Sequence, residues 1–124
     1  MSNPNNRIPV AAIMSPITTA LIAFRLDAAR EHHYNDVVVG VSIAWHVCQL
    51  VPSQRARMPD IEAGFHALNA IFTRHRDHPD VFWLAYPAEC SAIEQASLAC
   101  RDAIIASPPA AVRRAVQDVQ SGRR

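Results

Sequence analysis

Apolar side chains run almost without a break from Asp36 to Val51 (DVVVGVSIAWHVCQLV), where Asp36 is the single charged residue. Wound at about 100° per residue, the polar side chains that follow, Ser42, His46 and Gln49, fall on one narrow stripe. The pattern predicts a central helix buried on nearly every side, with Ser42, His46 and Gln49 as its buried polar residues. The β-branched run Val37-Val38-Val39 would also suit a strand over 37–43. Apolar character that continues through Trp45 to Val51 is too long for an ordinary strand, so the helix is preferred.

Prolines divide the rest of the chain. Residues 1–14 (MSNPNNRIPVAAIM) hold two prolines and three asparagines and predict a loose arm, with Ile8, Val10 and Ile13 laid on the bundle. Ser15-Pro16 offers a helix start. Ile17, Leu21, Phe24 and Ala28 then recur at helical spacing until the pattern fades near His32-His33. Asn35 or Asp36 can cap the central helix, and Pro52 stops it. From Pro59 a third helix places Ile61, Phe65, Leu68, Phe72 and His75 on one side and Glu62, His66, Asn69, Thr73 and Arg76 on the other.

His78-Pro79-Asp80 ends that helix, and an apolar connection, Val81 to Tyr86, follows without a clear period. Pro87 opens a fourth helix to about Ala106, with Cys90, Ile93, Ser97, Cys100 and Ile104 along it. Ser107-Pro108-Pro109 starts a short fifth, striped by Val112, Val116 and Val119. The expected fold is all-α: a single-domain bundle of four to five helices over 15–120, with a flexible tail at 121–124.

Composition narrows the picture further. With 124 residues, half of them apolar, and a net charge of +1, the chain has enough core for one folded domain and too little charge for a disordered one. Three glycines and no Asn-Gly or Asp-Gly pair argue against an all-β fold. All twelve basic residues are arginine; with abundant alanine this suggests a GC-rich coding sequence, hence a bacterium, a phage or a mobile element. Cys48, Cys90 and Cys100 are widely spaced within apolar helical patterns and read as reduced core thiols of a cytoplasmic protein. No apolar stretch has signal-peptide or membrane-spanning character.

Candidate chemistry is sparse. The densest group of metal-ligating types is His66, His75, His78 and Asp80, with Glu62 a turn before His66. It lacks a His-Glu-x-x-His motif, and Arg74 and Arg76 would repel a cation. His46 and Ser42 are four residues apart but have no orienting acid, so a nucleophilic site is not predicted. Arg55, Arg57, Arg113 and Arg114 are the runner-up contacts for nucleic acid, although acids nearly match bases over the whole chain. No phosphate loop, nucleophile elbow or cofactor motif appears, and no cofactor is expected. Phe82, Trp83 and Tyr86 are the strongest signal, because aromatic anchors on a connection supply contact area at low entropic cost. These features lead to a non-enzymatic protein that acts through protein contacts as a homodimer, an accessory or inhibitory factor.

Overall fold

The computed structural model describes residues 8–80 and 83–122. It is an all-α bundle of α1 (Val10–Arg25), α2 (Glu31–Leu50), α3 (Met58–Asp77), α4 (Pro87–Ala106) and α5 (Pro109–Gln120), with a 3₁₀ segment, Pro52–Arg57, between α2 and α3. No strand occurs among the described residues. The valine run is helical, and α2 packs against every other helix. Val37, Val41, Ala44, Val47 and Cys48 on it are fully buried.

The start of α1 differs from the expectation. Residues 10–14 are its first turns, not part of a loose arm, and Pro16 lies inside it. Pro9 precedes α1 with extended backbone, and its carbonyl accepts the Ala12 N–H at 3.0 Å, so the earlier proline supplies the start that Ser15-Pro16 was expected to give. Pro16 costs one helical hydrogen bond, that to the Ala12 carbonyl. The seating of Ile13 and Ile17 in the core, with Ile8 and Val10 packed on it, offsets that loss.

α1 also ends early. Leu26 caps it, Asp27 takes a positive φ of 54°, and the Asp27 and Ala28 N–H groups return to the carbonyls of Phe24 (3.2 Å) and Ala23 (2.8 Å). These paired bonds form the Schellman turn that closes many helices. His32 and His33 therefore belong to the first turn of α2, which begins at Glu31 rather than at Asn35 or Asp36. The fold around His33 explains the shift: its Nδ1 accepts the Arg30 N–H at 2.9 Å, satisfying an orphan donor at the helix start.

The polar stripe of α2 is a second correction. Gln49 is exposed, Ser42 and His46 are half-buried, and Val39 beside them is 46% exposed. Spacings of three, four and three residues put these four on the one flank of α2 that its neighbours leave open. Trp45 covers part of it, edge-on to the His46 ring with centroids 5.5 Å apart.

α3 and α4 make the tightest contact. The buried side of α3 is Ile61, Gly64, Ala67, Leu68 and Ile71, turned from the expected stripe toward Gly64. A Cβ placed at Gly64 would lie 2.5 Å from the Ala96 Cβ, so these two small residues let the backbones approach. On α4 the expected stripe is buried as drawn. Ser97 is satisfied there by donating to the Ile93 carbonyl at 2.9 Å. Burial pushes the Cys100 thiol up to about 12, with Cys48 nearby adding to the effect, and Cys100 donates to the Gly40 carbonyl at 3.5 Å.

Candidate protein-interaction surface

At the end of the bundle where α1 turns into α2, the C-terminal turns of α3 meet residues 83–86 and the start of α4. Trp83 is held here between two rings. It stacks on His75 with centroids 3.9 Å apart and planes at 16°, and on Tyr34 at 4.7 Å and 24°. Phe72 flanks both, 6.1 Å from Tyr34 and 6.3 Å from Trp83. Offset stacking of this kind adds to the stabilisation from burial alone. Trp83 thus spends most of its apolar surface inside the molecule. Burial raises the pKa of the Tyr34 phenol in the same cluster.

The outward-facing aromatics at this end are Tyr86 (58% exposed) and Phe72 (41%). Tyr86 is positioned by charge. The Arg74 guanidinium lies 3.8 Å from its ring centroid, donates to the Leu84 carbonyl at 2.6 Å, and grips Glu89 through two bonds of 3.0 and 2.8 Å. Glu89 in turn accepts the Tyr86 N–H at 2.8 Å, which fastens the start of α4. The hydrogen bonds to Glu89, ahead of the opposing desolvation, hold the Arg74 pKa above its ordinary value.

Two shallow grooves flank the cluster. One, of about 250 Å³, is lined by Arg30, Glu31, His75, Asp80 and Trp83 among others. The second, of about 400 Å³, runs between Phe24, Arg25 and Asp27 on one side and Leu84 to Pro87 on the other, with Cys90 in its floor. Burial raises the Cys90 pKa, so its thiol is kept in the unreactive form.

Of the residues singled out in the sequence, Trp83 and Tyr86 lie at the same end of the bundle but border different grooves, and Phe82 lies outside the described residues. Tyr34, Arg74 and Glu89 join them, although nothing in the spacing of the aromatics pointed there. The available signal was an arginine and a glutamate bracketing the apolar connection from the two helix ends. The metal-ligating types are not brought together. His66 is exposed on α3, His75 is stacked on Trp83, and His78 and Asp80 are exposed beyond the helix end. No cluster of three or more His, Cys, Asp or Glu suited to a metal occurs among the described residues. The arginines of the nucleic-acid reading lie on two separate elements, Arg55 and Arg57 on the 3₁₀ segment and Arg113 and Arg114 on α5. Arg57 is engaged by Gln54 at 2.7 Å and by Asp102 at 3.7 Å. No helix among the described residues is long and apolar enough to cross a membrane.

The chain matches no family model, no curated protein and no solved structure with which it was compared.

Proposed function

We propose that this chain is a non-enzymatic helical protein that works through protein contacts, self-associates as a homodimer, and serves as a cytoplasmic accessory or inhibitory factor of a bacterium, phage or mobile element. The observation that carries this reading is the aromatic end. Tyr86 and Phe72 stand outward on a base fixed by the Tyr34-Trp83-His75 stack and the Arg74-Glu89 clamp. Rigid, amphipathic anchors on a firm base bind with little ordering cost, which is the usual character of an interface hot spot. Arg30, Glu31 and Asp80, which line the groove beside Trp83, would form a polar rim at this end.

The test is recovery of partners from the native host with the full chain, compared with a Phe72→Glu, Tyr86→Glu double variant that keeps Trp83 in its stack. Wild type should recover a partner in stoichiometric amount and the double variant should lose it. Equal recovery by both, or recovery by neither, removes the aromatic end from the mechanism. Stoichiometric zinc, iron or manganese in tag-free protein, or a salt-dependent shift with oligonucleotides, would replace this reading with a metal-dependent enzyme or a nucleic-acid-binding module respectively.

A further inference from the structure

The solvent side of α4 carries a short pattern that the bundle leaves uncovered. Glu94, Leu98, Arg101 and Ile105 follow at spacings of four, three and four, so they occupy an arc of about 60° on the helix. Leu98 is 39% and Ile105 64% exposed, and the Glu94 and Arg101 side chains are each 49% exposed. α1 runs antiparallel beside this face: Arg25 near its end pairs with Glu94, while Val10 at its start shares a groove with Ile104 and Ile105. Exposed Ile22, three residues before Arg25, extends the apolar area at the level of Leu98.

The charges on this face are arranged almost symmetrically about Leu98. Glu94 precedes it by four residues and Arg101 follows it by three. If a second α4 lies antiparallel across a two-fold axis at Leu98, each Glu94 comes level with the other copy's Arg101 to within one residue, about 1.5 Å of rise. Two ion pairs then close around a Leu98–Leu98 contact. A parallel pairing would instead set Glu94 against Glu94 and Arg101 against Arg101. The charge pattern therefore selects one orientation and one register, as charges at interfaces commonly do, and the result is the self-complementary patch that a two-fold dimer requires. Glu94 already accepts from Arg25, and Arg101 donates to Asp102. A carboxylate and a guanidinium each have capacity for a second partner.

We infer that Glu94, Leu98, Arg101 and Ile105, with Ile22 beside them, form the face on which a second copy of this chain docks, with the two α4 helices antiparallel. The inference rests on the self-association part of the function proposed above.

Sedimentation or light scattering of the full chain across low to high micromolar concentration tests it. Glu94→Arg opposes like charges twice per dimer and should weaken association at least tenfold, and Arg101→Glu should do the same. The double reversal should return association to within about threefold of wild type, while circular dichroism confirms that every variant is folded. Because the native cysteines are buried, Leu98→Cys should give a reducible covalent dimer under mild oxidation, and Asn69→Cys on exposed α3 should not. A wild-type chain that stays monomeric throughout overturns both this inference and the self-association reading. A dimer that ignores both reversals, is not rescued by the double variant, or cross-links equally at residue 69 overturns the inference alone.

Discussion

Arg74 and Glu89 are fifteen residues apart and bonded by both ends of the guanidinium fork, 3.0 Å to one carboxylate oxygen and 2.8 Å to the other. The pair is mostly shielded from water, with side-chain exposures of 22% and 13%, so screening weakens it less than an ordinary surface pair. It spans the apolar connection and fixes where α4 begins. Glu89→Ala removes the pair and the acceptor for the Tyr86 N–H together, and should lower unfolding stability by about 2 kcal/mol. Arg74→Ala should cost a similar amount, and the double variant little more than either alone. Urea unfolding of the four proteins measures this; additive effects, or single effects below about 0.5 kcal/mol, would show that the clamp contributes nothing.

Gly64 and Ala96 give the second prediction. Gly64→Ala would gain about 1 kcal/mol of helix propensity on α3. The added methyl would meet the Ala96 Cβ at 2.5 Å, and neither atom can rotate away. Separating α3 from α4 should win, with a net loss of about 1 to 3 kcal/mol. Gly40→Ala should be at least as costly, since its Cβ would press on both Cδ1 and Cγ1 of Ile17, a β-branched side chain fully buried in the core with no free rotamer to move to. Combining Gly64→Ala with Ala96→Gly should recover most of the loss in thermal melts. Failure of that pair to couple would place the constraint elsewhere.

The helices, and the burial of the valine run, were legible because periodicity and proline placement report directly on which faces leave water. The errors have identifiable physical causes. Pro9 and Pro16 both permit a helix start, and only the packing of Ile13 and Ile17 decides in favour of the earlier one. The end of α1 depends on Asp27 adopting a left-handed backbone, which an aspartate tolerates without advertising it. Ser42, His46 and Gln49 define a polar stripe, but a stripe does not say whether it faces core or water. At the aromatic end Trp83 and Tyr86 stood out by residue type, whereas Tyr34 comes from a helix some fifty positions earlier and is joined to them only by the tertiary fold.

His33 makes stability depend on pH. Burial lowers its pKa below the ordinary value of 6.5, with His32 and Arg30 acting in the same direction and Asp36 opposing them. The folded chain therefore holds this proton less tightly than the unfolded chain. Its contribution is fully present above the unfolded value and is lost as pH falls through the lower, folded value. The geometry agrees: protonation of Nδ1 destroys the acceptor for the Arg30 N–H and places positive charge at the positive end of α2. Denaturation at pH 5 and at pH 7.5 should show a smaller difference for His33→Gln than for wild type, because glutamine accepts the same bond without titrating. An unchanged difference would assign the pH dependence to other groups.

Asp27 offers a substitution that should stabilise the protein. Its φ of 54° lies in the left-handed region, where most side chains cost roughly 1 to 2 kcal/mol and aspartate somewhat less. The conformation is required, because the returning bonds from Asp27 to Phe24 and from Ala28 to Ala23 form only when this residue turns that way. Glycine reaches it without strain but loses more freedom on folding, and that opposes part of the gain. Asp27→Gly should therefore add about 0.5 kcal/mol, a rise of a few degrees in melting temperature, while Asp27→Val should subtract about 1 kcal/mol. The same position borders the groove beneath Tyr86, so a partner that touches the Asp27 carboxylate would bind the more stable glycine variant less well. Should Asp27→Gly prove destabilising, the freedom glycine loses on folding, or a contact of the carboxylate in the folded chain, outweighs the strain relieved, and a loss equally present in Asp27→Asn would assign it to the carboxylate charge.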